Sequence, residues 1–78
     1  VILVPVAYLM INTREFDPQI LKELRSLKGV EEAHALYGVY DIIVKTEADT
    51  MNRINEVHNK IRKLKSITST LTMIAHEE

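Results

Sequence analysis

Apolar positions along this chain switch between the dense or alternating spacing of strands and the three-and-four spacing of helices. The run from Val1 to Ile11 is apolar at almost every position and rich in valine and isoleucine, which predicts a buried strand. Pro5 sits near its start, where a missing N–H is tolerated, and Asn12-Thr13-Arg14 ends it. The run has no basic start and is too short to span a bilayer, so no membrane partner is expected. Asp17 and Pro18 then offer an N-cap and a first-turn proline. Ile20, Leu21, Leu24 and Leu27 recur at helical spacing until Lys28-Gly29 stops a helix of about three turns.

Val30 to Tyr37 reads as a second strand and Tyr40 to Thr46 as a third, and the short connection between them requires an antiparallel hairpin turned at Gly38. Glu47-Ala48-Asp49-Thr50 opens a second helix of about four turns, with Met51, Ile54, Val57, Ile61 and Leu64 as its apolar stripe. Ile67 to His76 closes the chain as a strand in which Ile67, Ser69, Leu71, Met73 and Ala75 alternate with Thr68, Thr70, Thr72 and Ile74. The order βαββαβ, over a single domain spanning residues 1–78, predicts a ferredoxin-like α+β sandwich. Its sheet has four antiparallel strands, the first and third central, with both helices on one face.

Two helices cover only one face of a sheet, yet both parities of the first strand are apolar. Val4, Val6, Tyr8 and Met10 lie on one side and Leu3, Ala7, Leu9 and Ile11 on the other. The uncovered face therefore needs a partner, and a sheet-to-sheet homodimer, a dimeric α/β barrel, is the expectation. The threonine-bearing parity of the last strand is expected to lie in that half-buried interface.

Composition strengthens the case for assembly. A chain of 78 residues hides only about 60% of the surface its unfolded form exposes, and it has no cysteine for disulfides or thiolate metal sites. Ten basic against eleven acidic side chains give a net charge of −1, too nearly neutral for direct nucleic-acid binding to be expected. Lys60, Arg62, Lys63 and Lys65 complement the end of the second helix. His34, His58 and His76 lack metal-type spacing and read as partly exposed, so no metal and no cofactor is expected. The hairpin segment Leu36-Tyr37-Gly38-Val39-Tyr40-Asp41 places phenols and a carboxylate beside a glycine turn, a setting for a small polar ligand.

The segment from Gly38 to Lys45, a helix, and the strand Ile67 to Ile74 together resemble the effector-binding RAM domain of the Lrp/AsnC transcriptional regulators. Asp17-Pro18 and Lys28-Gly29-Val30 fit the same pattern. The regulators usually carry a helix-turn-helix domain in front; none precedes Val1, so the likeness is to the stand-alone form of the domain. The resemblance implies a cytoplasmic, amino-acid-sensing regulatory oligomer, with no catalysis, assembled as dimers and then as a ring such as an octamer. It also implies action through partner proteins, including Lrp/AsnC relatives that bind DNA.

By the same resemblance the effector sits between dimers, against the hairpin and the last strand. Gly38 and Val39 would offer backbone amides to its carboxylate, Asp41 would take its ammonium, Tyr37 and Tyr40 would wall it, and the hydroxyls of Thr70 and Thr72 would add directional bonds. Ser69 and His34 rank lower. Each residue also has a plainer reading: Gly38 as the positive-φ residue of a turn, Asp41 as a cap on nearby amides, Tyr40 as packing, and the threonines as strand formers. Three other classes share the layout. An ACT-like amino-acid-binding module would place its glycine after the first strand, where Asn12-Thr13-Arg14 stands. A small dimeric α/β-barrel enzyme would have only His34 and Asp41 to work with, and an RNA-recognition fold only Tyr8 and Tyr40 as stacking candidates on its central strands.

Overall fold

A computed structural model of the chain describes residues 4–75. The start of the expected first strand at residues 1–3, and His76 with the acidic pair after it, lie outside the described residues. Six elements follow in the order β1 (Val6–Thr13), α1 (Gln19–Ser26), β2 (Val30–Ala35), β3 (Ile42–Glu47), α2 (Met51–Arg62) and β4 (Ile67–Ile74). The strands form one antiparallel sheet in the order β2-β3-β1-β4, with β1 and β3 central as the ferredoxin-like layout requires.

Alternation along β1 decides which face is the core. Ala7, Leu9 and Ile11 are fully buried and point to the helices, where Leu9 and Ile11 pack with Ile42 and Val44 of β3, Ala33 of β2, Ile20 and Leu24 of α1, and Ile61 of α2. The opposite parity, Val6, Tyr8 and Met10, is only half-buried. Directly opposed residues in an antiparallel pair share a face. The pairs Tyr8↔Lys45, Met10↔Ile43, Tyr8↔Met73 and Met10↔Leu71 therefore put Ile43, Lys45, Leu71 and Met73 on that open face. Leu71 and Met73 are each 46% exposed.

The same register corrects one expectation. Thr70 opposes Ile11 and Thr72 opposes Leu9, so the threonine parity of β4 faces the helix layer, and the apolar parity faces outward. Arg62 at the end of α2 explains how these threonines are accommodated: its Nε donates to Thr70 Oγ1 at 3.1 Å and its Nη2 to Thr72 Oγ1 at 3.0 Å. A register shift between Asn12 and Thr13 bends the end of this pairing.

Element lengths follow their end signals. Asp17 accepts from the Gln19 amide at 2.9 Å through its side chain and from Ile20 through its carbonyl, so it caps α1 as expected. The helix is eight residues, about two turns rather than three, because Leu27 is already extended and Gly29 turns the chain at φ +98°. Thr50 caps α2 by accepting from the Arg53 amide at 3.2 Å. β1 starts after Pro5 and runs past the expected end at Ile11, because Asn12 and Thr13 still pair with Ser69 and Ile67. β2 stops at Ala35, two residues short of the expected Tyr37, and β3 begins at Ile42.

His58 is also a correction: it is 1% exposed, not partly exposed. It lies four residues after Ile54, on the stripe of α2 that faces the sheet. Thr46 Oγ1 donates its single hydrogen to the Ala7 carbonyl at 3.1 Å, which leaves it to accept from His58 Nε2–H at 2.8 Å. Nδ1 is then a buried lone pair with no partner among the described residues.

Candidate functional site

The β2–β3 hairpin is closed by the Leu36 amide donating to the Asp41 carbonyl at 2.8 Å and tied to β1 by the Asp41 amide donating to the Ile11 carbonyl at 2.9 Å. Between these ties the chain projects into solvent. Gly38 adopts φ +135°, and no atom lies within 4 Å of where its Cβ would be, so the backbone conformation rather than crowding selects glycine there. Tyr37 and Val39 are exposed and Tyr40 is half-buried. No acceptor among the described residues engages the amides of Gly38 and Val39.

Asp41 is held from one side. Thr13 donates its backbone N–H at 2.8 Å and its hydroxyl at 3.1 Å to the same oxygen, Oδ2. The plainer reading of Asp41 as a cap on nearby turn amides is thus corrected: its side chain accepts from Thr13 of β1, 28 residues away. Among the described residues Oδ1 has no partner, so the carboxylate is oriented through Oδ2 and its other oxygen is left unengaged. Beside it lies a groove of about 350 Å³ lined by Phe16, Ala35, Leu36, Tyr37 and Asp41.

Sequence reasoning missed two of these participants. Thr13 looked like the end of a strand, and no local pattern links it to a carboxylate 28 residues away. Phe16 was legible in principle: it is the one phenylalanine, set between Glu15 and Asp17 in a polar loop, where an apolar core does not explain it.

The other expected site residues lie elsewhere in the chain. Thr70 and Thr72 are on β4, at the opposite edge of the sheet from β2, and on the helix side. Since each accepts from Arg62, its own hydroxyl hydrogen remains to be donated. Ser69 is on the open face near the Asn12 amide. His34 is on the open face of β2, with Nε2 3.1 Å from Glu32 Oε1. One chain therefore brings together the hairpin residues but not the threonines.

Burial is the main cause that lowers the pKa of His58, and the nearby Arg62 guanidinium lowers it further. Among the described residues no three His, Asp or Glu side chains converge as a metal site would need, and no helix is long and apolar enough to cross a membrane.

Comparison with known proteins gives a consistent match. The model of the Lrp/AsnC ligand binding domain family matches residues 6–78. A homocitrate synthase of Sulfurisphaera tokodaii is 38% identical over 59 residues; the match takes in 76% of this chain and spans 13% of that enzyme's length. Among solved structures, a hypothetical protein of Pyrococcus horikoshii superposes with a TM-score of 0.84 at 36% identity, covering 95% of this chain and 92% of that one. AsnC of Escherichia coli superposes with a TM-score of 0.83 at 28% identity, covering 95% of this chain and 52% of that one. A transcriptional regulator of Neisseria meningitidis solved as an L-Met complex gives 0.76 at 16% identity, with 95% and 51% covered, a likeness of fold.

Proposed function

This chain belongs to the Lrp/AsnC ligand-binding domain family, and from that premise we propose that it is an amino-acid-sensing regulatory domain whose effector binds at the β2–β3 hairpin. The observation that carries the proposal is the pairing of opposite polarities there: unengaged amides at Gly38 and Val39 beside a carboxylate whose Oδ1 is open. Backbone N–H groups favour the effector's carboxylate and Asp41 favours its ammonium, a complementarity suited to a zwitterion. Tyr37 and Tyr40 wall the site. The hydroxyls of Thr70 and Thr72, each with its hydrogen left to donate, complete it from a neighbouring copy, since β4 and the hairpin lie at different edges of one sheet.

The open sheet face carries Val6, Tyr8, Met10, Ile43, Leu71 and Met73, and it is the surface through which two copies dock. Dimers then join into a larger ring, such as an octamer, in the cytoplasm, and the effector at their junction is linked to that assembly. The domain acts on other proteins rather than through a catalytic centre of its own. The Neisseria regulator solved with L-Met supports the ligand class. The segment shared with homocitrate synthase supports a second kind of partner, a metabolic enzyme, alongside DNA-binding Lrp/AsnC relatives.

Thermal unfolding of the purified oligomer with each free amino acid tests the reading. A ligand bound only by the native state raises the midpoint by mass action, increasingly as its free concentration exceeds Kd. At least one amino acid is expected to do so, and Asp41→Ala is expected to remove the shift. An unchanged shift in Asp41→Ala contradicts the ammonium role.

A further inference from the structure

Resting on the reading just given, the groove beside Asp41 carries information about which amino acid it takes. Four of its five lining side chains, Phe16, Ala35, Leu36 and Tyr37, are apolar or aromatic, and the fifth is the Asp41 carboxylate; among the described residues of this chain no cation lines it. Phe16 reaches it from the loop between β1 and α1, 42% exposed and outside the helix–sheet core. The volume of about 350 Å³ is at the small end of ligand sites and is ample for an amino acid. Thr13 spends both of its donors on Oδ2, which leaves Oδ1 as the carboxylate oxygen without a partner among the described residues and so the acceptor available to an ammonium.

We propose that Phe16 determines specificity at this site and that the effector is a monoamine amino acid with an apolar side chain, packed against Phe16, Leu36 and Tyr37 while its ammonium meets Asp41. Chemistry argues against the alternatives. A glutamate-like ligand brings a second carboxylate beside Asp41, and none of the five side chains that line the groove in this chain is a cation to neutralise it. A lysine-like ligand loses hydration of its distal ammonium among apolar walls that return no hydrogen bond. Blocking the α-amino group removes the one charge the groove is built to meet.

Isothermal titration of the wild-type oligomer with leucine, isoleucine, phenylalanine, glutamate, lysine and N-acetyl-leucine is the test. Saturable heat is expected with at least one of the first three and none, at matched concentrations, with the last three. Phe16→Ala, verified as folded by its thermal transition, is expected to weaken the apolar ligand about tenfold, the effect of losing one good apolar contact. Glutamate or lysine binding as tightly as leucine overturns the proposal, as does an unchanged leucine affinity in folded Phe16→Ala; in both cases amino-acid sensing itself survives. Should Phe16→Ala fail to fold, the wild-type ranking decides alone. Silence from every amino acid overturns the proposal and the sensing function together.

Discussion

Two side chains in the second half of the chain are constrained by partners far away in sequence, Asp41 by Thr13 and His58 by Thr46. The histidine has a measurable consequence. Its folded-state pKa lies below the ordinary value of 6.5, chiefly because burial disfavours the imidazolium. The unfolded chain therefore binds the proton more readily. Stability from neutral His58 is complete above about pH 6.5 and declines as pH falls below it, with a slope of at most about 1.4 kcal/mol per pH unit for one proton. Urea unfolding at pH 7.5 and pH 5.5 is expected to show a larger loss in the wild type than in His58→Leu. Equal losses in the two proteins would show that His58 is not the titrating group.

At the scale of elements the two glycines separate local conformation from packing. A Cβ on Gly29 would lie 2.7 Å from Val57 Cγ2, on a backbone at φ +98°, whereas one on Gly38 meets only the backbone restriction. Gly29→Ala is expected to cost about 2–3 kcal/mol in denaturant unfolding and Gly38→Ala about 1 kcal/mol. Comparable costs would contradict the role given to the α2 contact. Lys28-Gly29 was readable as a helix stop, as were the Asp17 cap, the stripe of α2 and the hairpin, because these signals are local. The face of β4 was not. Its alternation identifies two parities, but the pairing of Met10 with Leu71 assigns them to faces, and that pairing depends on a register set across 61 positions of chain. A threonine row against helices looks wrong from sequence until Arg62 is placed above it. The hairpin half of the site was legible for the same reason as the elements, whereas Thr13 and Phe16 enter only through tertiary contact.

At the scale of the whole molecule, the helices bury one side of the sheet and leave Tyr8, Met10, Ile43, Leu71 and Met73 together on the other. An apolar patch of this kind on so small a domain is a candidate interaction surface. A two-fold pairing of these faces uses the same patch twice and needs no second protein. An effector held between copies, as proposed, would stabilise their contact and so link binding at the hairpin to docking of the sheet. Sedimentation velocity at micromolar concentration tests this most directly. The account predicts a dimer or larger species for the wild type and a shift toward monomer when Leu71 and Met73 are both changed to lysine; a wild-type protein sedimenting as a 9.0 kDa monomer would contradict it.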